Sequence, residues 1–578
     1  MKYPKLIECL QLCSQESLRQ YLGEDLVDQL LSEWENNGPL TKSRLAEMII
    51  QLNGVELLKK PDFRASVISH MPQTEIDAIF NTLPTAKKAS CQTLSEKVAA
   101  ITSISWSASP TNLMYCHLAI LGVSSDIFTP ALEDNTSVIT HHAGKRFFEL
   151  LDYQFVIKQR VLSELARPYP LKRMLVHMPT GTGKTKTSMH TLVHFFNFSL
   201  RKKGTVIWLA HTTELLQQAY DTFSAVWSHL GDGEINAYKL WGQRNLSIPK
   251  DGFNGIMFCG IQKLQAVRQS QPDLFNKLVE DARLIVFDEA HKAAANETRS
   301  LVEAFMKMPA GYKDRSLIGL TATPGRTTLS SDENKLLSSM FEDRLITIDV
   351  DVVNQVNMSQ VAFLNHQAEG NIIRYFQDNG ILSRINKEQL TYSEQFTDVQ
   401  LQAIKSKVVQ SGYVDGDFSK KALEIIGRNR SRNKAIMDKL RELSTDSVPT
   451  IVFACSVAHA KLLSFMLSLE DIPNALVLGE MNSVDRAEAI ASFKDRSNPV
   501  NILINYEVLT TGFDSTNIRC VFITRPTQSI VLYSQMLGRG LRGPMMGGNA
   551  ECLLVDIKEN LGSFNPDMAF NHFDAYWS

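Results

Sequence analysis

The run Met178-Pro179-Thr180-Gly181-Thr182-Gly183-Lys184-Thr185 decides the fold. It follows a short apolar run, Arg173 to His177, and precedes a helical stretch, Lys186 to Phe198. A glycine-rich turn between a strand and a helix lets backbone N–H groups wrap a phosphate while the helix N-terminus faces the anion. Thr180, Gly181, Thr182 and Gly183 form that cradle. Lys184 is then placed to reach the β- and γ-phosphates of ATP, and the Thr185 hydroxyl to hold Mg²⁺. Met178 stands where the full form of this loop has glycine or alanine.

Outward from this loop, strand-length apolar runs alternate with helical stretches: Thr205 to His211, Gly255 to Gly260, Arg283 to Asp288 and Ser316 to Thr321. Buried strands separated by helices imply a parallel α/β sheet. The rhythm is lost from about Ile346, where polar helical stretches (Ser393 to Val409, Ala422 to Lys439) suggest a connector. It returns at Pro449 to Ser456, Ala475 to Leu478, Val500 to Asn505, Cys520 to Thr524 and Cys552 to Asp556. Toward the N-terminus the pattern is helical, with Leu26, Leu30 and Leu31, then Leu45, Ile49, Ile50 and Leu52, at helix spacing, and Gly54 placed as a helix stop. The expected units are a helical domain (1–140), a first α/β lobe (141–345), a helical connector or insertion (346–430) and a second α/β lobe (431–578).

Composition narrows the functional classes. At 578 residues the chain is too long for one core. Its 44% hydrophobic and 21% charged content is that of a folded globular protein. The net charge of -2 leaves no global basic footprint, so a nucleic-acid contact has to be a local groove. Apolar runs are far too short to span a membrane. The eight cysteines form no CxxC pair, which speaks against zinc and for reduced thiols. With no secretory signal pattern near Met1, the expectation is a cytoplasmic protein without a membrane partner.

A second chemical motif closes the first lobe. The strand Arg283 to Phe287 ends in Asp288-Glu289-Ala290-His291. A carboxylate at a strand end can complete a Mg²⁺ shell, and its neighbour can deprotonate the attacking water. Asp288 takes the metal role with Thr185, and Glu289 the base role.

At this point the chain resembles the superfamily 2 helicases of DEAD/DEAH type, over roughly Gly144 to the C-terminus. Leu151-Asp152-Tyr153-Gln154 resembles the family's glutamine motif, which implies that Gln154 reads the adenine edge. Ala210-His211-Thr212-Thr213-Glu214-Leu215 and Gly260-Ile261-Gln262-Lys263-Leu264 resemble loops that hold a sugar–phosphate backbone, through Thr212, Thr213 and Gln262. Leu320-Thr321-Ala322-Thr323-Pro324 resembles the motif whose two hydroxyls couple hydrolysis to lobe movement, with His291 in the same coupling role. Val508 to Asp514 resembles the fifth motif, implying nucleic-acid contacts at Thr510 and Thr511 and nucleotide contacts at Gly512 and Asp514. Gln535-Met536-Leu537-Gly538-Arg539-Gly540-Leu541-Arg542 resembles the sixth. It implies catalytic roles for Gln535, Arg539 and Arg542, because a permanently charged planar guanidinium stabilises a transferring phosphoryl group.

What the resemblance implies is two tandem RecA-like lobes that complete one ATP site when they close. Its relatives include RadD-like chains and the motor subunits of type I and type III restriction enzymes, which act on DNA. The expected function is an ATP-dependent DNA helicase or translocase in DNA repair or anti-phage defence, with an RNA helicase as the alternative. No nuclease or methyltransferase constellation is present. The helical N-terminal domain has no counterpart in this comparison. It either presents a face to protein partners, making the motor a switch or recruitment subunit of a defence complex, or braces the first lobe.

Overall fold

The computed structural model describes residues 3–33, 40–83, 91, 93–104, 121–123, 137–142, 148–168, 171–292, 296–307, 315–322, 331–348, 372–392, 396–405, 417–510, 512–527 and 529–557. Its strands are β1 (Val138–His142), β2 (Leu171–His177), β3 (Thr205–Ala210), β4 (Glu234–Leu240), β5 (Gly255–Gly260), β6 (Ala282–Asp288), β7 (Arg315–Thr321), β8 (Leu345–Thr347), β9 (Arg384–Leu390), β10 (Thr450–Phe453), β11 (Asn474–Val477), β12 (Ile502–Asn505), β13 (Cys520–Ile523) and β14 (Glu551–Ile557). The first eight form one sheet, in the order β1-β4-β5-β3-β6-β7-β2-β8, and the other six a second, β11-β12-β10-β13-β14-β9. Every pairing between them is parallel except β1 with β4.

The central strands are apolar throughout because both of their faces are covered. In β3, Val206, Trp208 and Ala210 enter one core while Ile207 and Leu209 enter another. In β10, Ile451 and Phe453 share the core of Val206 and Trp208, while Val452 enters a third. One hydrophobic core therefore runs between the two lobes, flanked by a core on the far side of each sheet.

The third core also takes in the N-terminal helices. Helices Pro4–Leu12, Gln15–Leu22, Lys42–Asn53, Pro61–Ser69, Gln73–Asn81 and Leu94–Thr102 bury Leu10, Leu45, Ile49, Phe63 and Ile76 together with Leu462, Leu463 and Leu467 of helix Val457–Leu469. Arg44 Nη1 donates to the Leu469 carbonyl at 2.8 Å and Lys461 Nζ to Asn53 Oδ1 at 2.9 Å. The helical domain thus packs on the second lobe, which overturns the expectation that it braces the first. Gly54 caps helix Lys42–Asn53 at φ 59 and approaches Asp485 so closely that a Cβ would lie 2.8 Å from its Oδ2.

Three segments depart from their expected type. Val138–His142, at the end of the stretch read as helical, is an edge strand. Residues 346–430 were expected to be a helical connector, yet β9 lies there and pairs with β14 over its full length, from Arg384↔Glu551 to Leu390↔Ile557. Its sequence, RINKEQL, is polar because it is the sheet edge, where charged side chains also guard against further pairing. Ala422 to Lys439 is not one helix but parts of two, Lys420–Gly427 and Arg430–Thr445. The second starts where Asn429 Oδ1 accepts the Arg432 N–H at 3.0 Å.

Candidate nucleotide site between the lobes

Parallel strands deliver their C-terminal ends to one edge, where binding residues collect. β2 ends at the glycine turn, whose Gly181 and Gly183 have φ of 88° and 82°, in the left-handed region that glycine enters without strain. β6 ends at Asp288. Lys184 Nζ lies 3.1 Å from Glu289 Oε1 and 3.6 Å from Asp288 Oδ1. The Glu289 N–H donates to Asp288 Oδ1 at 3.0 Å, and His291 Nδ1 lies 3.3 Å from Glu289 Oε2. Glu289 itself has φ 56, a conformation that costs energy for a non-glycine residue and is most often kept where function requires it.

Electrostatics divide the two carboxylates. Burial pushes Asp288 above the usual carboxylate range, against the opposing pull of Lys184. Burial also acts on Glu289, but Lys184 and His291 outweigh it and hold this carboxyl below its usual range. The same burial disfavours charge on Lys184, which Glu289 and Asp288 more than restore. His291 is pushed down to about 4 by burial and is neutral near neutral pH. These residues fit a Mg²⁺–nucleotide: a cradle of left-handed glycines, a largely enclosed lysine paired with two carboxylates, and a metal-suited carboxylate at a strand end. When bound, the metal ion would neutralise charge on the phosphates. Lys184 would then exchange its carboxylates for phosphate oxygens, freeing Glu289 to hold and deprotonate a water.

The second lobe reaches this turn directly. A Cβ on Gly538 would lie 2.4 Å from Thr180 Cγ2, and one on Gly181 would lie 3.2 Å from Leu382 Cδ2 and 3.7 Å from the Leu541 carbonyl. Arg539 donates to the Phe513 carbonyl and, through Nε, to the Gln535 carbonyl at 3.1 Å. Burial pushes its guanidinium down to about 10, while Glu289 across the lobe boundary acts the other way. Arg542 pairs with Asp514 at 2.7 Å and is braced from behind: Ser383 Oγ donates to its carbonyl at 2.7 Å, and Leu382 forms an isolated bridge to it. Gln535 is buried, and its Nε2 has no hydrogen-bond partner among the described residues. Leu382 and Met546, which approach Gly181 and Gly183 of the turn, and Ser383 behind Arg542 were not singled out from sequence. They carry no chemical motif, and only the fold brings them there.

The remaining expected residues are held as follows. Gln154, expected to face the adenine, is 1% exposed and turned toward the glycine turn. Its Nε2 donates to the Thr182 carbonyl at 2.9 Å and to the Tyr153 hydroxyl at 3.2 Å, and its Oε1 accepts the Leu151 N–H at 3.0 Å. Asp514, expected at the nucleotide, is taken by Arg542. Gly512, also expected there, packs on the first lobe, where a Cβ would meet Glu214 Cβ at 3.3 Å and Leu215 Cγ at 3.4 Å. Thr510 Oγ1 closes a local turn by donating to the Glu507 carbonyl at 2.6 Å.

Thr212 caps helix Thr213–Leu230 by accepting the Leu215 N–H at 3.3 Å. Thr213 and Gln262 are exposed at the ends of β3 and β5. Thr321 is buried at the end of β7, its carbonyl accepting the Met178 N–H at 3.1 Å. Thr323, Thr511 and the closing stretch 558–578 lie outside the described residues. An ion pair that sequence reasoning missed joins the lobes at this same edge, Arg486 Nη1 to Glu214 Oε1 at 3.2 Å. Nothing in the spacing of two residues so far apart could have signalled it.

Comparison with known proteins bears on this two-lobed arrangement. Residues 147–326 match the family described as type III restriction enzyme, res subunit, and residues 431–543 match the helicase conserved C-terminal domain. The chain belongs to the superfamily 2 helicases. Its members are ATP-hydrolysing enzymes. IRC3 of Saccharomyces cerevisiae, named as an ATP-dependent helicase, is 25% identical to this helicase over 397 residues, 67% of this chain and 48% of that protein. The EcoAI type I restriction enzyme endonuclease subunit of Escherichia coli is 24% identical over 402 residues, 67% of this chain and 44% of that one. A fragment structure of a type I restriction-enzyme HsdR subunit from Vibrio vulnificus aligns over 81% of this helicase and 73% of that chain, at 20% identity and a TM-score of 0.47. The helicase spans about half the length of the curated relatives it matches. Among its described residues, no helix is long and apolar enough to cross a membrane.

Proposed function

We propose that this helicase is an ATP- and Mg²⁺-dependent motor that moves on or unwinds DNA. The observation that carries the proposal is the approach of the second lobe, at Gly538 and Leu541, to the glycine turn that leads into Lys184, with Arg539 in electrostatic reach of Glu289. A site split in this way is completed by closure and dissolved by opening, so each turnover can change the spacing of the lobes. Thr212, Thr213 and Gln262 on the first lobe and Thr510 on the second are the proposed backbone contacts, which hold phosphates without reading sequence. Thr185 and Asp288 are the proposed Mg²⁺ ligands, Glu289 the base, Arg539 and Arg542 the fingers, Gln535 a further catalytic group, and His291 and Thr321 the coupling residues. In this reading Gln154 serves by holding the glycine turn, and residues 384–390 work with the second lobe.

Names among the relatives support DNA over RNA: one is an ATP-dependent DNA helicase, MPH1, and two are type I restriction enzyme endonuclease subunits. They also motivate a role in repair or defence. The described cysteines, all free thiols, suit the cytoplasm. The deciding experiment measures ATPase turnover alone and with single-stranded DNA, duplex DNA and RNA, alongside displacement of a labelled strand bearing either overhang. Stimulation by DNA is the expected result. Stimulation by RNA alone would reassign the substrate, and stimulation by none of them would reject a nucleic-acid motor.

A further inference from the structure

His211 stands between the two functions of the first lobe, and none of the roles assigned above uses it. It is the first residue after β3, which lies beside β6 with Leu209 opposite Phe287. Two residues past that pair on each chain stand His211 and Glu289, and the Glu289 charge reaches the His211 ring. Its imidazole packs edge-on against the Phe287 ring, with centroids 5.7 Å apart and planes at 74°. On its other side, Thr212 caps the helix whose exposed first residue, Thr213, is a proposed nucleic-acid contact.

The ring is mostly enclosed, and its Nε2 is buried without a hydrogen-bond partner among the described residues. A buried polar atom left unpaired costs stability, and its retention calls for a reason. Burial, with Lys292 beside it, pushes the imidazole down to about 4, so it is a neutral hydrogen-bonding group; Glu289 acts in the opposite sense. His291 also feels its charge, so two imidazoles flank one carboxylate. Of the two imidazoles, His291 is the one in contact with that carboxylate, its Nδ1 3.3 Å from Oε2.

We infer that His211 is a positioning residue that links occupancy of the Thr212–Thr213 loop to the placement of the Glu289 carboxylate. Nucleic acid drawing on the capped helix start shifts the residue next to the cap. The free ring nitrogen then gains a partner at the Glu289 side, either the carboxylate or the water it holds. This inference rests on the reading of the chain as a DNA-stimulated ATPase.

The test compares the full-length protein with His211→Phe, which keeps the ring packing on Phe287 but has no nitrogen, and His211→Asn, which restores a hydrogen-bonding group. ATP turnover is measured against ATP and against duplex DNA. In the Phe variant the DNA-stimulated kcat should fall about ten- to hundredfold, as expected when a reacting group is misplaced. KM for ATP and the half-saturating DNA concentration should stay within about twofold, because neither binding surface is altered. Asn should recover part of the loss. Full stimulation in the Phe variant would overturn the inference alone, as would a loss that appears only as weaker DNA binding. A wild-type protein unresponsive to any nucleic acid would remove the functional reading and this inference together.

Discussion

A lysine shared by two carboxylates in a closed site is a stored configuration, because each of the three groups is costly to bury without the others. Removing one partner of a buried pair costs about 3–5 kcal/mol. Lys184→Ala should therefore do two things: abolish nucleotide binding, and lower the melting temperature of the nucleotide-free protein. Calorimetry without ligand checks the second effect, and an unchanged transition would reject it. Glu289→Gln keeps a hydrogen-bonding group but removes the basic oxygen, so fluorescent-ATP binding should persist while turnover drops about 10²- to 10⁴-fold. At this scale the sequence is readable where chemistry is local. Lys184, Asp288, Glu289 and His291 come from two short motifs that follow β2 and β6, two strands separated only by β7, and their side chains meet. It is unreadable where orientation decides. Whether the Gln154 amide faces inward depends on the Thr182 carbonyl and the Tyr153 hydroxyl arriving beneath it, which no spacing reveals.

Between elements, contact of the lobes depends on backbone approach at small residues. Gly538 sits at the end of helix Ile530–Leu537 against Thr180, with no room for a methyl group. Gly538→Ala should leave each sheet intact yet hold the lobes apart. The expected outcome is a fall in kcat of about tenfold or more with little change in melting temperature, since reacting groups misplaced by an ångström lose rate rapidly. Turnover at the wild-type level would argue against this closed arrangement as the working state. The elements themselves were legible in proportion to their burial. β3, β5, β6 and β7 are covered on both faces and stand out as apolar runs, whereas β9 is an edge with only intermediate and exposed positions, and so has the texture of a surface helix or loop. Yet β9 follows the loop that braces Arg542, so the least legible strand adjoins a part of the candidate site.

Across the whole molecule, helix Val457–Leu469 carried a signal that spacing arguments overlooked. Its sequence, VAHAKLLSFMLSL, is apolar nearly all round, which a helix covered on one side alone does not need. The second sheet covers one side and the N-terminal helices the other, so truncation to remove residues 1–123 should expose Leu462, Leu463 and Leu467. A lower melting temperature and aggregation of the shortened protein are expected, and an equally stable truncated protein would count against the shared core.

The same dense packing makes acid a threat to the fold. His459 is fully enclosed: its Nδ1 accepts the Cys455 N–H at 3.1 Å and its Nε2 faces Asn433 Oδ1 at 3.1 Å, with Arg432 close by. Burial holds His459 well below 6.5, and burial likewise holds His291 at about 4. The unfolded chain therefore takes up protons below about 6.5 that the folded chain refuses, and stability falls with pH across that window. The raised Asp288 carboxyl opposes this, because the folded state keeps its proton longer than the unfolded state does. From about pH 7 to about pH 5.5 each such histidine contributes a loss of about 1 kcal/mol, His190 and His211 among them, less the opposing carboxyl. Thermal melting across that range should show a steady fall. His459→Gln keeps side-chain hydrogen-bonding capacity without a titrating ring, so it should reduce the fall over that range by about 1 kcal/mol even if it lowers stability near neutral pH. An unchanged slope in that variant would mean that the acid sensitivity arises elsewhere.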